Sequence, residues 1–127
     1  MAHRSRLAGF IIDCNTDDHV AAVDFWSQAL GLPKEEHIVE DDAEYTRLVN
    51  TPADLEIEVQ KVSHPSRVHL DIETDDQDAE VARLEALGAK RIGWVKRWWV
   101  MEAPTGQRFC VVKMKHPEQG AKPNEWP

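Results

Sequence analysis

One short run of the chain could place several carboxylates on one surface. Residues 56–60 read Glu-Ile-Glu-Val-Gln, so that Glu56 and Glu58 alternate with Ile57 and Val59. Successive side chains of a β-strand point to opposite faces, and the two glutamates therefore lie on the polar face of a predicted strand. Carboxylates in such a position can move protons or bind a divalent cation. A solvated sheet surface is the simpler interpretation of the same pattern.

A second run, residues 67–73, adds a histidine to this set of groups. Its apolar face is formed by Val68, Leu70 and Ile72, and we expect it to pack under a helix. The opposite face carries Arg67, His69, Asp71 and Glu73. Two interpretations of this polar face remain open. In the first, His69 contacts a metal or substrate. In the second, His69 is a hydrogen-bonded strand histidine, and Asp71 and Glu73 pair with Arg67.

Cysteine and tryptophan are the remaining residue types with a chemical role to consider. Cys14 and Cys110 lie far apart in apolar runs, which is typical of reduced cysteines that act as small hydrophobes. Cys110 could bind zinc as a thiolate, but the sequence shows no set of soft ligands around it. Adjacent Trp98 and Trp99 must face opposite sides of a strand. One of them then enters the core, while the other lines a ligand cavity or an interface.

A repeated pattern describes the elements that position these residues. Each copy reads strand, Thr-Asp-Asp, helix and Ala-Leu-Gly, starting near Thr16 and near Thr74. The two threonines are predicted to cap the helices, and Gly31 and Gly88 to end them in the left-handed conformation. The apolar helix stripes are Val20, Val23, Trp26 and Leu30 in the first copy and Val81, Leu84 and Leu87 in the second.

Three strand patterns follow each helix. They cover about residues 35–40, 44–49 and 55–62, and then about 90–96, 98–102 and 107–114. The prediction is a single domain, residues 1–127, with module one at about 6–62 and module two at about 66–115. The tail, residues 116–127, is rich in proline, glycine and charge, and we expect no regular structure there.

Composition excludes several classes of function. A formal charge of −8 disfavours nucleic acid as a partner, because phosphates require lysine and arginine surfaces. No apolar run reaches the length of about 18 residues that a membrane-spanning helix needs. The N-terminal residues also lack the apolar stretch of a signal peptide, so that a cytoplasmic location is predicted.

Three motifs, in this order and spacing, resemble one known group of proteins. They are Asp24-Phe-Trp-Ser-Gln-Ala-Leu-Gly-Leu, Arg67-Val-His-Leu-Asp and Val100-Met-Glu-Ala-Pro-Thr-Gly-Gln-Arg-Phe-Cys. The chain resembles the glyoxalase/bleomycin-resistance/dioxygenase (vicinal oxygen chelate) superfamily, in its glyoxalase-like subgroup. The resemblance implies an α+β fold, in which two tandem βαβββ modules form a curled mixed β-sheet around a cavity with helices outside. It also implies a homodimer.

The resemblance implies a ligand set as well, which this sequence matches incompletely. Glyoxalase I-like members hold a metal with four ligands from the first and last strands of the two modules. The matching positions here are Gly9, Glu56 or Glu58, His69 and Cys110. Gly9 has no ligand side chain, and Cys110 replaces a carboxylate. A divalent metal held by His69 and Glu58 is therefore considered, but a complete four-ligand metal site is not predicted.

Two functions remain open at this point. In the first, the protein binds a small organic molecule in the sheet cavity and acts as a glyoxalase-like lyase or a related enzyme. In the second, it is a metal-free binding protein of the resistance type, or an accessory protein without catalysis. The predicted ligand-binding residues are His69, Glu58, Asp71, Trp98 and Cys110. No catalytic residue is assigned.

Overall fold

The computed structural model describes residues 2–41 and 43–127, which leaves Met1 and Asp42 outside the described residues. Within these ranges the chain forms nine strands, two α-helices and a short 3₁₀ turn at Pro52–Asp54. The elements in order are β1 His3–Asn15, α1 His19–Leu30, β2 Lys34–Glu40, β3 Ala43–Leu48, β4 Glu56–Val62, β5 Arg67–Thr74, α2 Gln77–Ala86, β6 Lys90–Val95, β7 Trp98–Glu102, β8 Arg108–Lys113 and β9 Asn124–Trp126. The predicted α+β class and both βαβββ modules are confirmed.

The chain divides into two compact units. The first-module unit is Gly9–Val68, and the second-module unit combines residues 2–8 with His69–Pro127. In the first-module unit the strand order is β2-β3-β4-β1, and β1 pairs with β4 in parallel. In the second-module unit the order is β5-β8-β7-β6, and β5 pairs with β8 in parallel. Each unit therefore repeats the same arrangement of four strands and one helix.

The helix of each unit covers one face of its sheet. In the first-module unit Val23 of α1 packs in a core formed by Ile12, Leu48, Ile57 and Val59. In the second-module unit α2 covers a core formed by Val81, Leu84, Met101, Phe109 and Val111. Alternation along each strand consequently assigns the residues between these core positions to the opposite face of the sheet.

The helix starts differ from the prediction by two residues. The Asp18 carboxylate accepts a hydrogen bond from the Ala21 amide at 3.0 Å and caps α1, and Asp76 caps α2 in the same way. The hydroxyls of Thr16 and Thr74 instead accept from the amides of these capping aspartates. Each threonine thus orders the turn before the helix, and the aspartate satisfies the first helical turn.

The predicted left-handed helix ends are confirmed, while part of each apolar stripe is not. Gly31 and Gly88 both have positive φ. Leu87 is 66% exposed because α2 ends at Ala86, and Val20 is 56% exposed at the first turn of α1. In α1 the buried residues are His19 and Val23, four positions apart, so the buried stripe includes the position before Val20 rather than Val20 itself.

The apolar face of β5 is another correction. Val68 and Leu70 are 57% and 51% exposed, so the expectation that they pack under a helix was wrong. Ile72 alone of the three packs against the core under α2. That helix contacts β6, β7 and β8, which leaves the beginning of β5 uncovered.

The tail contains a short strand, contrary to the prediction. Residues 124–126 form β9, which pairs antiparallel with His3–Ser5. The Trp126 indole donates to the Ser5 hydroxyl at 2.8 Å, and the Arg83 guanidinium lies 4.0 Å from the ring centroid. The tail therefore forms a strand in spite of its turn-rich composition, because the backbone of His3–Ser5 in β1 is available for pairing.

Buried His19 in the first-module unit makes stability depend on pH. It is 4% exposed, lies 3.0 Å from the Thr46 hydroxyl and stacks on His37 at 4.6 Å. Burial lowers the pKa of His19, and the charges of His37 and Lys61 act in the same direction against that of Glu44. A buried imidazole of this kind is more stable neutral than charged.

We expect the protein to lose stability as the pH falls below about 6.5, because His19 is then protonated in the unfolded chain but stays neutral in the folded protein. The loss is at most about 1.4 kcal/mol per pH unit and stops once the pH passes the lowered pKa. Urea unfolding at about pH 7.5 and pH 5.5 measures it. His19→Gln should reduce the difference and His116→Gln, at an exposed site, should not. An unchanged difference in His19→Gln would contradict the assignment.

Candidate functional site

Most of the predicted site residues lie on one face of the second-module sheet. Phe109 and Val111 of β8 point into the core under α2, and Cys110 between them points to the opposite face. Parallel pairing places Asp71 of β5 directly beside Cys110. His69 precedes Asp71 by two residues and so projects from the same face.

The three side chains are close enough to act together. One donor atom from each of His69, Asp71 and Cys110 lies within 4.8 Å of the other two. The His69 Nε2 atom and the Asp71 carboxylate are 3.6 Å apart, with side chains 14% and 16% exposed. Cys110 is 8% exposed. We refer to these residues as the His69–Asp71–Cys110 cluster. The resemblance implied one site for His69 and Cys110, and the register of β5 against β8 places Asp71 directly beside Cys110.

The structure also decides between the two adjacent tryptophans. Trp99 packs against the core under α2 and makes an edge-to-face contact with Trp94 at 5.4 Å. Trp98 therefore projects from the other face of β7, together with Val100, which pairs with Cys110. An aromatic surface consequently lies on the same face as the cluster.

A second polar face lies in the first-module unit, opposite α1. Glu58 pairs in register with Arg47, and the side chains of the two residues are 3.8 Å apart. Arg47 also contacts Glu56 at 3.1 Å. The single positive charge of this guanidinium is shared between the two predicted carboxylates. Glu58 thus lies in the first-module unit beside a cation, and its role as a metal ligand with His69 stays a prediction.

The sequence interpretation missed Asp13, which lies on this face. It is 2% exposed, and its carboxylate lies 3.8 Å from the Arg67 Nε atom. A single acidic residue within the apolar run Phe10-Ile-Ile-Asp-Cys was the available signal, because buried charges are retained where they are paired or functional. The proposed pairing of Arg67 with Glu73 is not found, since Glu73 instead binds the Arg6 guanidinium at 2.7 Å.

The metal-ligand set implied by the resemblance does not fit these residues. At the first position, a Cβ atom on Gly9 would lie 1.8 Å from the Glu56 backbone oxygen, so no side chain of any kind is accommodated there. At the last position, Cys110 offers a thiol in place of a carboxylate. Two of the four expected oxygen or nitrogen ligands are therefore missing. The one at Gly9 is excluded by the close backbone packing of β1 and β4, and the one at position 110 is replaced by a thiol.

No helix of the described residues has the length and apolar character needed to cross a lipid bilayer.

Comparison with known proteins gives a family and a set of structural neighbours. The sequence profile described as "Glyoxalase-like domain" matches residues 9–112. No protein of curated function matches the chain in sequence.

Three solved structures illustrate the structural similarity. Methylmalonyl-CoA epimerase from Mycobacterium tuberculosis superposes with a TM-score of 0.64 at 16% identity, over 86% of this chain and 87% of that chain. A methylmalonyl-CoA epimerase in complex with methylmalonyl-CoA and NH4+ gives 0.65 at 17%, over 87% and 94%. A hypothetical protein from Bacillus halodurans C-125 gives 0.65 at 13%, over 93% and 99%. At these identities the similarity shows the fold alone.

Proposed function

Because the chain belongs to the glyoxalase-like domain family of the vicinal oxygen chelate superfamily, we propose that it binds a small organic molecule and transfers a proton on it. The reaction would be of the isomerase or lyase type. The observation that carries this proposal is the His69–Asp71–Cys110 cluster on the same sheet face as Trp98. Groups that exchange protons and a surface that binds a flat ligand are the two requirements of such a reaction.

The chemistry of the structural neighbours agrees with this assignment. Two of them are named as methylmalonyl-CoA epimerases, and an epimerase inverts a carbon centre. When that carbon lies beside a carbonyl group, inversion requires removal and return of a proton. In this chain the imidazole of His69, held 3.6 Å from Asp71, is the proposed group for that transfer. Glu58 is proposed as a further ligand-binding residue.

The charge of the protein favours a different ligand from a coenzyme A ester. The chain carries a formal charge of −8. A protein of this net charge repels a polyanionic nucleotide ester and attracts a cationic molecule more than an anionic one. We therefore propose a small carbonyl compound without phosphate groups as the ligand.

A thermal-shift screen tests this proposal. The library contains cationic, neutral and anionic carbonyl compounds and one coenzyme A thioester. A ligand at about 100 times its Kd should add about 2.7 kcal/mol to the free energy of unfolding and raise Tm by several degrees. Trp98→Ala should abolish the shift, whereas Trp94→Ala, on an exposed tryptophan of the opposite face, should preserve it. A shift with the thioester alone, or with no compound, would overturn the assignment.

The alternative is a binding protein without catalysis, as resistance-type members of the superfamily are. The specific observation in its favour is that the ligand position at Gly9 is blocked in the first-module unit, while the second-module unit keeps Trp98 on the polar sheet face. Proton exchange separates the two functions. In deuterated buffer an enzyme should speed exchange of the proton beside the carbonyl of the ligand found in the screen, and His69→Gln should abolish the gain. A binding protein would leave the exchange rate unchanged.

Homodimer formation and a cytoplasmic location stay predictions. The second-module unit exposes Leu70, Ile92 and Trp94 by 51%, 44% and 51%, and these are side chains that a second copy would cover.

A further inference from the structure

The His69–Asp71–Cys110 cluster combines three donor atoms of different chemical character. His69 offers an imidazole nitrogen, Asp71 a carboxylate oxygen and Cys110 a sulfur atom, all within 4.8 Å of one another. Zinc accepts all three kinds of ligand in proteins, while magnesium and calcium select oxygen. Three protein ligands with a fourth position open is also the usual composition of a reactive zinc site.

We propose that His69, Asp71 and Cys110 bind one Zn²⁺ ion in a site built within the second-module unit alone. The proposal replaces the hypothesis of a metal held by His69 and Glu58, and it differs from the four-ligand set implied by the resemblance. It extends beyond the proposed function. A zinc-bound His69 would act as a ligand and would no longer transfer protons, so proton transfer by His69 is proposed for the metal-free protein alone.

The backbone already holds the ligands at suitable positions. Asp71 and Cys110 are register partners on neighbouring parallel strands, and His69 lies two residues away on the same face. Ligand atoms of a tetrahedral zinc site are separated by about 3.3–3.8 Å, as follows from zinc–ligand distances of about 2.0–2.3 Å. The 3.6 Å between His69 and Asp71 is within this range. The Cys110 Sγ atom, which lies within 4.8 Å of the other two ligand atoms, would have to approach them by at most about 1 Å.

The charges also suit a divalent cation. A thiolate and a carboxylate together supply two negative charges to Zn²⁺, and neutral imidazole adds none. Cys110 is 8% exposed, so a metal-bound thiolate there would be protected from solvent. Because uncompensated charges are unfavourable in a buried position, a thiolate and a carboxylate there are more stable with a bound cation than without one.

Cobalt binding to the metal-stripped full-length chain tests the proposal. Co²⁺ replaces Zn²⁺ in such sites and, when bound to a thiolate, gives a sulfur-to-metal absorption band in the near ultraviolet. We expect one Co²⁺ per chain with this band, and its displacement by Zn²⁺. Asp71→Asn should weaken binding about tenfold or more.

The second cysteine of the chain provides a matched control. Cys110→Ser should lose the sulfur band, while Cys14→Ser should keep it, because half-buried Cys14 lies in the core of the first-module unit. His69→Gln should likewise weaken binding, and His116→Gln at an exposed site should not. Circular dichroism confirms the folding of each variant before comparison.

X-ray absorption of the zinc-loaded wild-type protein decides the question even if a variant fails to fold. One sulfur atom at about 2.3 Å and nitrogen or oxygen atoms at about 2.0 Å would support the site. A spectrum without sulfur, no sulfur band with cobalt, or a band that survives Cys110→Ser would overturn it. The ligand screen uses metal-stripped protein, so failure of the zinc site would leave its outcome unaffected.

Discussion

Replacement of Gly9 by alanine is expected to lower the free energy of unfolding by about 3 kcal/mol or more. Gly9 pairs with Glu56 where β1 and β4 run in parallel. A Cβ atom at position 9 would lie 1.8 Å from the Glu56 backbone oxygen and 2.7 Å from its nitrogen. Because the obstacle is backbone rather than a flexible side chain, the two strands must move apart, and this loosens the core that contains Ile12 and Ile57.

Urea unfolding of the purified variant measures this effect. Gly93→Ala is the matched control, since Gly93 is also a strand glycine but a Cβ atom there would meet nothing within 4 Å. We expect that control to stay within about 0.5 kcal/mol of the wild type. Equal stability of Gly9→Ala and Gly93→Ala would show that β1 and β4 are not packed this closely.

The second large effect concerns Glu80, a buried carboxylate on α2 that no sequence motif marked. Glu80 is fully buried and accepts a bond from His3 Nε2 at 2.8 Å. The Arg83 guanidinium donates two further bonds to it, each of 2.8 Å. Arg83 in turn lies over the ring of Trp126. One carboxylate thus connects the N-terminal strand, the helix and the tail within the second-module unit.

Glu80→Gln is expected to cost about 3 kcal/mol of the free energy of unfolding, because it leaves the buried partners of a broken ion pair uncompensated. Glu85→Gln is the matched control. Glu85 makes the same two-bond contact with Arg91, at 3.0 Å, but in solvent, and its loss should cost far less than that of Glu80 because solvent screens the pair. A loss of similar size in the two variants would contradict the role of burial.

The pH dependence of the same variants provides a further test. Burial alone would raise the pKa of Glu80, but the hydrogen bonds from Arg83, His3 and Ser5 together lower it below the ordinary value of 4.5. The carboxylate therefore contributes its stability above that pH and loses the contribution as the pH falls through the lowered pKa. Over this acid range the free energy of unfolding of the wild-type protein should fall more steeply with decreasing pH than that of Glu80→Gln.

The local order of the chain could be predicted from the sequence because it depends on neighbouring residues. Strand alternation at Ile57 and Val59 correctly identified the buried face of β4. The left-handed glycines Gly31 and Gly88 marked the helix ends. Period, turn composition and glycine conformation are properties of a few consecutive residues, and they are sufficient to define two βαβββ modules.

The candidate site was predictable in part for the same reason. His69 and Asp71 share a face because they are two residues apart on one strand. Cys110 joins them only through the register of β5 against β8, which is set by the packing of both strands under α2. The choice of Trp98 over Trp99 depends on the same packing, since alternation alone separates the two residues without assigning either to the core.

Sequence alone thus determined the helices and strands of the two βαβββ modules, their order and the candidate residue types of this protein. Tertiary structure decided which sheet face each helix covers. It exposes Leu70, contrary to the prediction, and buries Glu80, for which no prediction was made. It also decided that the tail pairs with the N-terminal strand and that Cys110 lies directly beside Asp71. These outcomes depend on contacts between residues far apart in the chain, whose free energies are set by the whole packed unit and leave no periodic signal in the sequence.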